Sequence, residues 1–153
     1  MTQEEKQLLL LDLCARLPYG VICHYDCVVP SVGKVINYDR LNGIVPVQDT
    51  IGFMVGVHTV NALFDNIKPY LRPLSSMTEE EKIEMHNLLS PEGTAIYKKD
   101  GIALPNNHYG EYVPYEFMNR VIQYLLKNHF DFVGLIPKGL AIAVTKENNP
   151  YEN

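Results

Sequence analysis

The chain has 153 residues, 46% of them hydrophobic and 20% charged, with 13 Lys and Arg against 18 Asp and Glu for a formal charge of −5. A chain of this length buries roughly 70% of the surface it exposes when unfolded, so it needs neither a disulfide framework nor a structural metal. The acidic balance opposes the counterion-release attraction that draws proteins onto phosphate backbones, which argues against nucleic acid as a partner.

Further absences point the same way. No apolar run approaches the roughly 20 residues that span a bilayer, and Met1 to Lys6 lack the basic character of a secretory leader. Cys14, Cys23 and Cys27 are odd in number and fit no stapling pattern. The expectation is a cytoplasmic protein with reduced thiols and no membrane partner.

Thr2-Gln3-Glu4-Glu5 reads as a capping box, in which a threonine hydroxyl and a glutamate carboxylate satisfy the free N–H groups of a first helical turn. It predicts a helix over 3–16, stopped by Pro18. Leu10, Leu13, Cys14 and Leu17 fall at the i, i+3, i+4, i+7 spacing of a core face, and Leu8, Leu9 and Leu11 widen that stripe beyond one contact surface.

From Tyr19 to His58, short β-branched and aromatic runs alternate with turn residues, placing strands near 19–28, 33–38, 43–47 and 51–58. Asn42-Gly43 suits a tight hairpin, with Pro30-Ser31-Val32-Gly33 and Gln48-Asp49-Thr50 as flanking turns. Residues 61–73, interrupted by Pro69 and Pro73, read as a wrap over the sheet.

Thr78-Glu79-Glu80-Glu81 repeats the capping box and opens a helix over about 79–89. Ser90 to Tyr112 reads as a long irregular segment with room for a short strand, Ile102-Ala103-Leu104 being its only apolar run. Pro114 opens a helix over 114–128, with Phe117, Met118, Val121, Ile122 and Leu125 on its buried face. Leu140, Ile142 and Val144 alternate as a last strand, and a frayed tail follows from Glu147.

The fold expected is α+β: an N-terminal helix, a small curled antiparallel sheet or barrel-like meander, then two helices and a C-terminal strand. One domain covers 1–153, with a soft boundary near 73–77 between the strand-rich and helix-rich halves.

Chemistry is sparse. Cys23-His24-Tyr25-Asp26-Cys27 holds zinc-type ligands, but strand alternation sends His24 away from the two thiols, so no metal site is expected. Sequence adjacency is likewise the wrong arrangement for a cysteine nucleophile and its base. Glu79, Glu80, Glu81 and Glu84 read as a solvated first turn. No nucleotide-binding, hydrolase or metalloprotease motif is present, and no cofactor is expected.

Ten tyrosines without a tryptophan are the more distinctive usage, since tyrosine anchors interfaces with a large ring and a polar tip. Tyr70, Arg72, His108, Tyr109, Glu111 and Tyr112 are therefore the ligand- or partner-binding candidates. The leading function is a non-enzymatic interaction module that takes a protein partner or self-associates. The alternative is a small-ligand or nucleic-acid-processing enzyme with its site near the 90–112 loop.

Asp12-Leu13-Cys14-Ala15-Arg16-Leu17-Pro18-Tyr19-Gly20-Val21, the stretch from Lys68 to Thr78, and His129-Phe130-Asp131-Phe132-Val133-Gly134-Leu135-Ile136 resemble a group of uncharacterised short bacterial proteins often encoded in prophages and mobile elements. The resemblance spans roughly the whole chain. It implies an intracellular accessory role in a mobile element and no activity, cofactor or catalytic residue.

Overall fold

The first helix, α1 (Gln3–Arg16), begins as its capping box requires: the Glu5 N–H donates to Thr2 Oγ1 at 3.2 Å and the Thr2 N–H to Glu5 Oε2 at 2.7 Å. This is a computed structural model, and it describes residues 1–29, 33–47, 50–55, 58–89, 97–98, 101–102 and 115–152. The buried face of α1 differs from the one expected. Leu9, Asp12, Leu13 and Arg16 are buried, whereas Cys14 and Leu11 are exposed, Leu11 at 61%. The i, i+3, i+4, i+7 frame holds, but it is rotated by one residue because a polar pair occupies half of it.

That pair lies inside the protein. Arg16, with no exposed surface, donates from Nε to Asp12 Oδ2 at 2.7 Å and from Nη2 to Asp12 Oδ1 at 3.0 Å. The same Nη2 donates to the Phe130 carbonyl at 2.9 Å, which fastens α1 to a turn 114 residues later.

A short helical turn, Leu17–Tyr19, ends at Gly20 with φ +69, the left-handed region where glycine carries no Cβ penalty. Strand β1 (Ile22–Val29) pairs antiparallel with β2 (Gly33–Arg40), Ile22 opposite Arg40 and Val29 opposite Gly33. The chain then leaves this sheet. β3 (Ile44–Val47), β4 (Thr50–Val55) and β5 (His58–Leu63) form a separate antiparallel sheet. β6 (Ile67–Leu71) returns to the free edge of β1, Cys23 opposite Pro69.

The curled, barrel-like meander is therefore corrected. Among the described residues there are two principal open sheets, a mixed one in the order β2-β1-β6-β9, where β9 is Ile142–Ala143, and the three-stranded β3-β4-β5, and neither closes. Asn42-Gly43 does not join paired strands, because the partner of β2 is β1 and the partner of β3 is β4. Residues 67–71, expected as a wrap, are an inner strand with Ile67, Pro69 and Leu71 buried. Pro69 lies just before β9 (Ile142–Ala143) begins its parallel pairing at Tyr70. A pair of two-residue strands, β7 (Tyr97–Lys98) and β8 (Gly101–Ile102), falls in the segment read as largely irregular with room for a short strand. The turns expected at 30–32 and 48–49 lie outside the described residues.

Helix α2 (Glu79–Leu89) matches its expected bounds, and α3 (Tyr115–Lys127) matches to within a residue. On α3, Val121 and Leu125 are buried as expected and Tyr124 joins them, but Met118 and Ile122 are 38% and 39% exposed. The Phe117 side chain lies outside the described residues. The end of α3 is a Schellman motif, with Phe130 N–H donating to the Leu125 carbonyl at 2.9 Å and His129 N–H to that of Leu126 at 3.1 Å. His129 takes the position usually given to glycine, at φ +57.

Two apolar clusters result. Leu9 and Leu13 of α1 pack with Cys23, Tyr25, Ile51, Phe64, Ile67, Leu71, Leu135 and Leu140. Met77 and Met85 pack with Val121, Tyr124, Leu125 and Phe130. The tail is not frayed. The Tyr151 hydroxyl donates to the Tyr70 carbonyl at 2.8 Å and accepts from the Ile22 N–H at 3.2 Å, and Asn148 Nδ2 donates to the Ala143 carbonyl at 3.0 Å.

Removing one member of the buried ion pair leaves an uncompensated charge. Asp12→Ala is expected to destabilise by about 3–5 kcal/mol in urea unfolding, and Asp12→Leu with Arg16→Met to recover most of that loss.

Candidate functional site

β6 delivers Tyr70 and Arg72 to one face, two residues apart, but they serve different partners. Tyr70 borders a cleft of about 480 Å³ with the tail residues Lys146, Glu147, Asn148 and Pro150. Arg72 points to α2, donating from Nη1 to Glu81 Oε1 at 2.6 Å and from Nη2 to Glu81 Oε2 at 2.9 Å. Its guanidinium lies over the Phe130 ring at 4.2 Å. The main chain of Arg72 is equally engaged, its N–H donating to the His129 carbonyl and its carbonyl accepting from the Asp131 N–H, both at 2.8 Å.

Glu81 therefore has two tasks. It accepts from the Thr78 N–H at 2.8 Å in the capping box of α2 while it holds Arg72, whose hydrogen bonds keep the carboxyl below its ordinary pKa. Glu79, Glu80 and Glu84 are exposed on the same helix, Glu79 beside Lys82. His108, Tyr109, Glu111 and Tyr112 lie outside the described residues.

The Cys23–Cys27 stretch follows strand alternation. Cys23 and Tyr25 are buried and His24 and Asp26 half-buried, with His24 Nε2 3.6 Å from Asp26 Oδ1. Burial pushes the Cys23 thiol far above its ordinary pKa, which leaves it protonated and poorly nucleophilic. The Cys27 side chain lies outside the described residues. No group of three or more metal-ligating side chains occurs among the described residues, and none of the described helices is long and apolar enough to cross a membrane.

A polar cluster around His129 and Asp131 was not anticipated from the sequence. His129 stacks on Tyr151, ring centroids 4.1 Å apart and planes 11° from parallel. Burial, then the charges of Arg16, Arg40 and Arg72, push its pKa down to about 4, so the imidazole is neutral at pH 7. Asp131 accepts three backbone N–H groups, from Gly134 at 2.9 Å and from Leu135 and Ile136 at 2.8 Å, and so caps the turn that ends at Gly139. The sequence signal for this hub was the Asp12–Arg16 spacing on the Leu9–Leu13 face. It reads as solvent-facing until a buried acceptor is found for it.

Two surface features remain. A cleft of about 610 Å³ is lined by Leu17, Pro18, Tyr19, Gly20, Arg40, Leu41, Asn42 and Lys127, with no carboxylate among them. On α3, Met118 and Ile122 make an exposed i, i+4 apolar flank beside the face that packs on α2. Tyr124, on the covered side, points to α2 and reaches the Glu81 carbonyl and Glu84 Oε2, each at 3.3 Å; burial and the two carboxylates raise its pKa to about 12.

In comparisons with known proteins, no family model, no curated protein and no solved structure matches this chain.

The His129 shift has a definite sign. The unfolded imidazole takes a proton near pH 6.5 and the folded one only near 4, so the unfolded state binds more protons between these values. Stability is expected to be complete above pH 6.5 and to fall by up to about 3 kcal/mol as pH drops to 4. Urea midpoints measured across that window test this. His129→Asn, which tolerates the left-handed backbone, should flatten the profile above pH 5 where carboxylates contribute little.

Proposed function

We propose that this chain is a non-enzymatic protein-interaction module, an accessory protein of the mobile-element kind that its sequence resembles. The observation that carries the reading is the apolar arc of α3, which is wider than α2 covers. Val121, Tyr124 and Leu125 are buried, while Met118 and Ile122, one turn apart, remain exposed in line with the buried Leu126. A helix that keeps a second apolar flank fits an arrangement in which a partner covers it.

The fate of the polar groups supports the same reading. Arg16, Arg72, Glu81 and Asp131 are each committed to fixed internal hydrogen bonds, and Cys23 is held as a neutral thiol. None of these is a free acid, base or nucleophile poised over a cleft. The enzymatic alternative rests on His108, Glu111 and Tyr112 of the 90–112 loop, which lie outside the described residues; of the two residues that would join them, Tyr70 and Arg72, Arg72 is held by Glu81.

Size-exclusion chromatography with light scattering, followed by affinity capture from bacterial lysate, is expected to give either a self-associated species or a specifically retained protein. Met118→Glu with Ile122→Glu should abolish that association while changing stability by no more than about 0.5 kcal/mol, since both side chains are surface-exposed. A strict monomer that retains nothing, or retention unaffected by the double variant, overturns the proposal.

A further inference from the structure

The charges of three arginines bear on His129, and they are compensated unequally. Arg16 is paired with Asp12 and Arg72 with Glu81, each through two hydrogen bonds. Arg40 is exposed, and no described carboxylate pairs with it. Its neighbour Asp39 points to the opposite face of β2 and accepts from the Tyr25 hydroxyl at 2.9 Å. Lys127, in the last turn of α3, is exposed and is likewise without an ion pair among the described residues. Both cations border the 610 Å³ cleft.

Gly20, in the left-handed region, lines the cleft and leaves room for Arg40 to lie close: a Cβ at residue 20 would sit 3.1 Å from Arg40 Cδ and Nη1. The planar fork of a guanidinium matches an oxyanion in geometry and charge.

We propose that this cleft binds a small organic oxyanion, a phosphate monoester or a carboxylate, held by Arg40 and Lys127, with Asn42 and Tyr19 as neighbouring walls. The setting makes the chemistry specific. In a chain of net charge −5, a cleft edged by two cations and no acid is a local inversion of the overall field, and it attracts anions that the rest of the surface repels. This inference is independent of the α3 flank, and loss of either one leaves the other standing.

Titration of the full chain at low ionic strength with inorganic phosphate, glycerol phosphate and succinate tests it, by calorimetry and by amide chemical shifts. At least one probe is expected to saturate with a dissociation constant of about 1 mM or tighter. Stronger binding of the phosphates than of succinate identifies a phosphate ligand, and the reverse order identifies a carboxylate. Arg40→Gln and Lys127→Gln should each weaken binding about tenfold or more, with unfolding midpoints unchanged because both side chains are exposed. Absence of saturation by all three probes, or affinity unchanged in both variants, overturns the proposal.

Discussion

The structure depends on one buried arginine. Arg16 has no exposed surface, is neutralised by Asp12 one turn earlier, and donates from Nη2 to the carbonyl of Phe130. Removing a guanidinium and a carboxylate from water costs several kcal/mol for each ion, a cost that hydrogen bonding must offset. The two-point fork to Asp12 and the backbone acceptor supply most of that bonding, while Arg16 Nη1 is buried with no hydrogen-bond partner among the described residues. In return the contact fixes which face of α1 turns inward and where the end of α3 must lie.

The turn it reaches is the centre of the molecule. Phe130 closes α3 through its own N–H, accepts Arg16 through its carbonyl and carries Arg72 on its ring. The flanking His129 and Asp131 clasp the main chain of Arg72 from both sides. One apolar cluster gathers α1 and the four-stranded sheet and the other gathers α2 and α3, and this seam of polar bonds joins them. It also explains the neutral imidazole, because burial disfavours a charge on His129 and the charges of Arg16, Arg40 and Arg72 disfavour it further. The surface features on which the proposals rest are the apolar α3 flank and the Arg40 cleft. The inner arginines, Arg16 and Arg72, already have carboxylates, and Arg40 has none among the described residues.

Local rules carried much of the reading. Both capping boxes form as written in Thr2–Glu5 and Thr78–Glu81, since they involve atoms three residues apart and need no tertiary partner. The bounds of α1 and α2 and the alternation of Cys23, His24, Tyr25 and Asp26 were legible for the same reason. The reading failed where a polar residue faces inward. Asp12 and Arg16 look like a solvent stripe, and that displaced the core face by one position onto Cys14. It failed again at Pro69, whose missing N–H argues against an inner strand except where a neighbouring strand has yet to begin. Of the proposed site residues, Arg72 turned out to be half of an ion pair whose other half lies nine residues on, in a different element. The Arg40–Lys127 cleft had no sequence signal, because its cations are 87 positions apart and neither belongs to a motif.

The sequence by itself determined the α+β content, where the helices start and stop, and the absence of nucleotide-binding and hydrolase motifs. Each of these follows from backbone hydrogen bonding and side-chain spacing within a few residues. Only the tertiary structure decided that β6 enters the sheet, that the tail is tied down by Tyr151, that Asp12 and Arg16 are buried, and that His129 is neutral. Those outcomes rest on partners distant in the chain. A buried charge is tolerated only where its acceptor has been brought to it, and no local pattern records where that acceptor will come from.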